Sequence, residues 1–114
     1  MNTSSEGYLL RIFVGESDKK EGMPLYEWLI RRAKEEKLAG ATAIRGIESF
    51  GERSQLHTAK ILQLSTDLPI IVEVVDTCEK IDAFMPIVES GLTGGMVTLQ
   101  KVQIRVYHSN VNNT

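Results

Sequence analysis

Two short apolar runs constrain the fold of this chain more than any other feature. They cover residues 8–14 (YLLRIFV) and 70–75 (IIVEVV), and their aliphatic, aromatic and β-branched side chains are typical of strands. Each run contains a single charged residue, Arg11 in the first and Glu73 in the second. Because successive residues of a strand face opposite sides of a sheet, both faces of a sheet built from these strands are apolar and need cover.

Residues 24–38 have the periodicity of an amphipathic helix. The apolar stripe comprises Leu25, Leu29 and Ala33, with Tyr26 and Ile30 beside it. Pro24 suits the first helical position because its φ angle is fixed and it lacks an N–H group. Gly40 is predicted to end the helix in the left-handed conformation.

A second helix is predicted over residues 78–89. Its apolar face comprises Ile81, Phe84, Met85 and Val88. We expect Asp76 or Thr77 to cap its N-terminus. We also expect a kink or a local compensation at Pro86, because proline removes one hydrogen bond of the helix.

The remaining segments complete an alternating order of elements. Strands are predicted at residues 41–47, 60–64 and 96–107, and a polar exposed loop at residues 48–58. In the last strand Val102, Ile104 and Val106 alternate with Lys101, Gln103 and Arg105. The main elements follow the order β-α-β-β-α-β, which predicts a ferredoxin-like α+β fold. Its four-stranded antiparallel sheet would carry both helices on one face.

The other face of such a sheet has no helix to cover it. Since the strands at residues 8–14 and 70–75 are apolar on both sides, this face is best hidden against another subunit. We therefore expect one oligomeric domain at residues 1–114. Its ordered core would span residues 8–107, with polar tails at 1–7 and 109–114.

The charge balance limits the partners of the chain. With 13 Lys and Arg, 15 Asp and Glu and a net charge of −2, nothing favours broad binding to nucleic acid or membranes. The single cysteine, Cys78, cannot form an intrachain disulfide and fits a reducing compartment. Residues 1–7 carry no apolar stretch like that of a signal peptide, and the apolar runs are too short to span a bilayer. The expected location is the cytoplasm.

Several segments resemble the PII nitrogen-regulatory proteins. Residues 37–42 (KLAGAT) and 44–51 (IRGIESFG) are similar to the end of the second PII strand and the start of the T-loop. Residues 68–88 (LPIIVEVVDTCEKIDAFMPIV) are similar to the third strand and second helix.

The whole chain more closely resembles an uncharacterised bacterial and archaeal family that is grouped with the PII-like proteins. This resemblance covers residues 8–107 and is carried by LLRIFVGESDK at residues 9–19 and LPIIVEVVDTCEKI at residues 68–81. It implies a ferredoxin-like homotrimer with ligand clefts between neighbouring subunits. In PII proteins these clefts hold ATP or ADP, so ATP, ADP or AMP is the implied ligand. A membrane transporter or another protein is the implied target.

The resemblance also assigns individual ligand-binding positions. Gly46 and Gly51 match the glycines that flank the base of the T-loop, and Thr42 matches a nearby threonine. Glu73 and Val75 fall at adenine-side positions of the third strand.

The glycine-rich turn before the last strand matches the PII pattern only in part. Gly95 matches the last glycine of the PII turn, whereas Gly94 stands in place of an acid and Met96 in place of the phosphate-binding lysine. The loop at residues 49–58 contains no tyrosine, which excludes uridylylation there.

The residues themselves leave two interpretations open for this site. The N–H groups around Gly94 and Gly95 can form an anion-binding nest, or the segment is simply a tight turn. Arg45 and Arg53 can capture a phosphate or carboxylate by bidentate hydrogen bonds, or they are solvated surface residues.

Three functions remain open at this point. The first is a PII-like regulatory protein that binds an anionic ligand and uses residues 49–58 as an effector-facing switch. The second is a metal-binding trimer similar to the divalent-cation tolerance proteins, or an enzyme, with His57 or His108 meeting carboxylates between subunits. The third is a structural trimer that binds only protein. We favour the first, because the fold order, the glycine-rich turn and the loop between the second and third strands fit it. No catalytic motif is recognisable that would point to an enzyme.

Overall fold

The two apolar runs form the two central strands of a four-stranded antiparallel sheet. In this computed structural model, residues 2–46, 48–50, 56–58 and 68–109 are described. The strands are β1 (Asn2–Gly15), β2 (Lys19–Lys20), β3 (Met23–Pro24), β4 (Gly40–Arg45), β5 (Glu48–Phe50), β6 (Leu56–Thr58), β7 (Pro69–Thr77) and β8 (Met96–Tyr107). The helices are α1 (Leu25–Glu35) and α2 (Cys78–Gly91).

The order of strands in the main sheet is β4-β7-β1-β8, with every neighbouring pair antiparallel. Together with the element order, this confirms the predicted ferredoxin-like β-α-β-β-α-β fold. The short strands β2 and β3 pair with each other, as do β5 and β6.

The helices cover one face of the sheet, which we call the covered face. Its central residues are the even-numbered positions of β1 and β7, and Leu10, Ile12, Val72 and Val74 are all 0% exposed. They pack with Leu29 of α1 and with Ile81, Phe84 and Val88 of α2 in one core. This face holds the hydrophobic core that stabilises a single chain.

Strand β1 is longer than the sequence predicts. It begins at Asn2 rather than at residue 8, because residues 2–7 pair with residues 102–107 of β8. The segment is polar, but the far half of β8 needs a partner for its backbone groups. Residues 2–7 are therefore not the tail that composition predicts, and β1 and β8 extend beyond the other two strands.

Helix α1 ends differently from the prediction. Lys37, not Gly40, takes the left-handed conformation, with φ 60°. The N–H of Leu38 donates to the carbonyl of Ala33 at 3.0 Å, and that of Lys37 to the carbonyl of Lys34 at 3.0 Å. This is the Schellman pattern, and it stops the helix before Gly40 is reached. Pro24 is the N-cap residue rather than the first helical residue.

Helix α2 begins as predicted, with Thr77 as N-cap. The Thr77 hydroxyl accepts from the N–H of Lys80 at 3.3 Å. Helix α2 continues through Pro86 to Gly91, and Pro86 is exposed. The carbonyl group that Pro86 leaves without a helical partner is that of exposed Asp82, so this group can face water.

Two segments outside the predicted strands contain short antiparallel ribbons. In the first, β2 and β3 are joined by Glu21 and Gly22, which both have positive φ angles, as a tight hairpin turn requires. In the second, Ser49 pairs with His57 where an exposed loop was predicted. The pairing of β5 with β6 was not predicted, because this segment is polar. The strand predicted at residues 60–64 lies outside the described residues.

Candidate functional site

One end of the sheet carries most of the predicted ligand-binding residues that are described. Here β1 and β4 end and β7 and β8 begin. The N–H of Glu16 donates to the carbonyl of Leu68 at 2.7 Å, and the N–H of Gly46 donates to the carbonyl of Pro69 at 2.7 Å. We call this region the glycine end of the sheet.

Arg45 lies at the glycine end on the edge strand β4 and is ion-paired with Glu16. The Arg45 side chain is 56% exposed and that of Glu16 is 22% exposed. Since Arg45 extends to solvent while one nitrogen contacts the carboxylate, the guanidinium group keeps other donors for an anionic ligand.

The glycines at this end are required by close packing. Gly95 has φ +96°, and a Cβ atom there would lie 2.5 Å from the carbonyl oxygen of Phe13. A Cβ atom at Gly46 would lie 2.9 Å from the ring of Pro69. Both positions therefore exclude larger residues for structural reasons, whether or not they also contact a ligand.

The two glycine positions lie at opposite edges of the sheet. Gly46 follows β4 on one edge, and Gly94 and Gly95 precede β8 on the other. Three strand spacings separate these edges, about 14 Å at about 4.8 Å per spacing. One phosphate group cannot contact both within a single chain. A neighbouring chain that sets its β8 edge beside this β4 edge would bring them together.

Thr42 and Glu73 occupy a different part of the molecule. They lie opposite each other on β4 and β7, on the sheet face that the helices leave uncovered. The Glu73 carboxylate accepts from Nε of Arg11 at 2.9 Å. Gly51 and Arg53 lie outside the described residues.

The uncovered face, which we call the open face, has one polar row with mainly apolar residues on both sides of it. Across the sheet, the polar row consists of Thr42, Glu73, Arg11 and Thr98. The row towards the glycine end consists of Ile44, Ile71, Phe13 and Met96. On the other side the residues are Val75, Leu9 and Gln100, followed along β8 by Val102, Ile104 and Val106. No described helix packs on this face.

On the two central strands the open face is more exposed than the covered face, since Leu9 and Val75 are half-buried whereas Leu10 and Val74 are 0% exposed. Ile44 is 43% exposed and Met96 is 56% exposed, and both belong to the apolar row beside the glycine end. Arg11 and Glu73 are the only charged residues at open-face positions of the four described sheet strands. The alternation predicted in β8 is confirmed by the register, since Val102, Ile104 and Val106 share the open face.

The described residues contain few other candidates for a site. Among them, no three side chains of His, Cys, Asp or Glu are placed to hold a metal ion. None of the described helices is long and apolar enough to cross a membrane. A shallow groove between the end of α1 and α2 is lined by Glu36, Leu38, Lys80, Ala83 and Phe84.

Sequence reasoning missed two partnerships that shape the site. Glu16 and Arg45 are 29 residues apart, and no spacing rule links them. Arg11 and Glu73 carried a usable signal, because each is the single charge in an otherwise apolar strand and such charges are best paired.

Solved structures that are similar to this chain include PII-like proteins. The chain is similar to CPII, a nitrogen regulatory PII-like protein from Thiomonas intermedia K12 bound to ADP, AMP and bicarbonate. The TM-score is 0.61 at 15% identity, over 90% of this chain and 91% of the other. A putative PII-like signaling protein from Thermus thermophilus gives a TM-score of 0.58 at 15% identity, also over 90% of this chain and 91% of that one.

Curated relatives share more of the sequence. A UPF0166 protein from Aquifex aeolicus (strain VF5) is 41% identical over 96 residues, which is 84% of this chain and 90% of the relative. A UPF0166 protein from Methanocaldococcus jannaschii, MJ1524, is 37% identical over 78 residues, covering 68% of this chain and 71% of the relative. The model of the family DUF190, described as "Uncharacterized ACR, COG1993", matches residues 7–104. The resemblance seen in the sequence is confirmed: this chain, whose fold is similar to that of PII-like proteins, belongs to the DUF190 family.

Proposed function

We propose that this protein is a PII-like regulatory protein that binds an adenine nucleotide in clefts between subunits. The observation that carries the proposal is the arrangement at the glycine end. Arg45 and Gly46 lie at one edge of the sheet, and Gly94 and Gly95 at the other edge of the same end. In a cyclic assembly these two edges can meet, and each cleft then takes half of its residues from each neighbour.

The chemistry of the two edges suits a phosphorylated ligand. Arg45 offers a planar set of donors that matches phosphate oxygens. The turn at Gly94 and Gly95 allows close approach of the backbone to an anion. The similarity to CPII, which is bound to ADP and AMP, supports an adenine nucleotide as the ligand.

Glu16 makes nucleotide binding a competition at Arg45. The carboxylate of Glu16 contacts the guanidinium group that would contact the phosphates, and its negative charge repels them. Binding of the nucleotide would loosen the Arg45–Glu16 ion pair. Because Gly46 follows Arg45 directly, a change there is passed to the segment that carries β5 and β6.

The segment at residues 49–58 is the proposed effector-facing switch. Its described residues, together with Glu48, form the ribbon of β5 and β6, which is three residue pairs long. A two-stranded ribbon of this length gains little stability alone, so contacts at its base can change its position or order. A membrane transporter or another protein is the proposed target of this segment.

Thermal unfolding with a panel of nucleotides tests the proposal. Ligand at about 100 times its dissociation constant stabilises a folded protein by about 2.7 kcal/mol, which raises Tm by several degrees. We expect ATP, ADP or AMP to raise Tm and sodium chloride at the same ionic strength to leave it unchanged. No shift with any nucleotide at millimolar concentration would contradict the proposal.

A matched pair of variants assigns the effect to the cleft. Arg45→Gln should remove most of the shift in Tm, because the phosphates lose their charged partner. Arg105→Gln changes an exposed arginine near the other end of β8, opposite Ser4, and should leave the shift intact. Equal loss in both variants would point to nonspecific attraction instead.

No described residue favours the metal-handling alternative. His108 is exposed just after β8, and His57 lies on β6, opposite Ser49. Metal analysis of the purified protein separates this alternative from ours, because stoichiometric metal that is lost in His57→Ala would support it.

A further inference from the structure

We propose that Arg11 and Glu73 form ion pairs between subunits as well as within one, and that these pairs select another copy of this chain as the partner of the open face. The inference rests on the proposed function only in requiring a cyclic assembly. It adds the residues that decide which surface can cover this face and in which register. Family resemblance assigns no such role to either residue.

The Arg11–Glu73 pair has a central position in the sheet. β1 and β7 are the two central strands of the sheet, and Arg11 lies opposite Glu73 across them. The pair therefore lies at the centre of the open face, with apolar rows on either side. Charged residues at the centre of an apolar surface determine which partners can cover it, because any partner must satisfy them.

Within one chain, the Arg11–Glu73 pair uses only part of its hydrogen-bonding capacity. The Arg11 side chain is 38% exposed and that of Glu73 is 29% exposed, and a single contact of 2.9 Å joins them. Arginine has five N–H donors and a carboxylate accepts several hydrogen bonds, so both groups keep unused capacity on the side that faces solvent. A partner that covered them with apolar side chains would leave this capacity unsatisfied.

The Arg11–Glu73 pair is complementary in charge to a second copy of itself. It places one positive and one negative group side by side, with no net charge. Around a rotation axis, copies of such a pair can alternate in sign, so that Arg11 of one subunit faces Glu73 of the next. A second copy of this chain thus supplies the missing hydrogen-bond partners, and the apolar rows meet one another in the same register. Another register would set these charges against like charges or against the apolar residues of the neighbouring rows.

Charge reversal tests the inference in the full-length chain. Arg11→Glu gives two acidic groups at the centre of the open face, and Glu73→Arg gives two basic ones. We expect each variant alone to assemble at least about tenfold more weakly than the unchanged protein, as judged by sedimentation velocity. Circular dichroism checks that each variant is folded. Arg105→Glu, on the other face of β8, is the matched control and should assemble normally.

Mixing the two variants separates pairs between subunits from pairs within a subunit. If the subunits share the pairs, an equimolar mixture should form assemblies that contain both chains, which native mass spectrometry detects. In a three-membered ring one contact in three remains between like charges, so the mixture should recover less than the double variant Arg11→Glu with Glu73→Arg.

Two results would overturn the inference. One is normal assembly of both single variants. The other is recovery in the double variant without recovery in the mixture, since the pair would then act only within one chain. Both leave the proposed function standing if the unchanged protein is oligomeric and its Tm responds to nucleotides. The opposite result is also distinguishable. If Tm does not respond to nucleotides but the mixed variants assemble, nucleotide binding is contradicted and the inference about Arg11 and Glu73 stands.

Discussion

The covered face and the open face of this sheet are built from the same strands but differ in exposure and in charge. On the covered face, Leu10 and Val74 lie opposite each other and are 0% exposed beneath the helices. On the open face, their neighbours Leu9 and Val75 are only half-buried, and an ion pair interrupts the apolar rows. The first face stabilises one chain, and the second has the composition of a surface that awaits a partner.

The even- and odd-numbered positions of these strands have different roles. Even-numbered positions of β1 and β7 are apolar without exception from Leu10 to Val14 and from Ile70 to Val74. Odd-numbered positions from Leu9 to Phe13 and from Ile71 to Val75 are apolar except for Arg11 and Glu73, which pair. A single charged pair costs little stability on a half-exposed face but discriminates strongly between partners.

The largest expected effect is the difference between substitutions at two adjacent residues of β1, one on each face of the sheet. Leu10→Ala should lower the free energy of unfolding by about 2–5 kcal/mol, because it leaves a cavity in the core beneath the helices. Leu9→Ala, the same change on the open face, should cost clearly less in a dissociated subunit. Chemical denaturation at low protein concentration measures both. Equal losses would mean that the open face is packed within a single chain.

The next effect concerns the buried carboxylate at the end of the covered face. Asp76 is 7% exposed and accepts from the N–H of Ala39 at 2.8 Å and from that of Thr77 at 2.6 Å. It thereby ties the segment after α1 to the start of α2. Asp76→Ala should lower the free energy of unfolding by about 1–3 kcal/mol, since two backbone donors lose their acceptor.

Denaturant titration beside Asp82→Ala checks this expectation. Asp82 is exposed on α2, and its replacement should change the free energy of unfolding by less than about 0.5 kcal/mol. The same small effect at both positions would show that the Asp76 contacts do not stabilise the fold.

The smallest effect concerns the open-face ion pair in a dissociated subunit. Arg11→Gln should change the free energy of unfolding of one chain by less than about 1 kcal/mol, because the pair is a third exposed and screened by water. Unfolding measured across protein concentrations should nevertheless show weakened assembly. A large loss at low concentration would indicate that the pair stabilises the single chain instead.

Most of the fold could be predicted from the sequence because its core segments have clear periodicities. The strands at residues 70–75 and 96–107, both helices and the fold order follow from these patterns. The start of β1 at Asn2 could not, because residues 2–7 are polar and their pairing depends on β8, about 100 residues away in the chain. The helix stop at Lys37 escaped prediction because Leu38, which packs against the core, sets the end of the helix through tertiary contact.

The candidate site was predictable only in its parts. Gly46 and Gly95 could be singled out from the sequence, but their positions at opposite edges of one sheet end come from the strand order. Glu73 was assigned to a ligand through resemblance. The single charges of two apolar strands hinted at its pairing with Arg11, and the register of β1 and β7 establishes that pairing. Sequence patterns fix what one element buries and cannot state which edges of separate subunits meet.

Sedimentation equilibrium of the unchanged protein tests the central claim, that the open face is covered by another copy of the chain. We predict a mass that is a whole multiple of the single-chain mass, with dissociation only on dilution. A single-chain mass at every concentration up to the limit of solubility would contradict it.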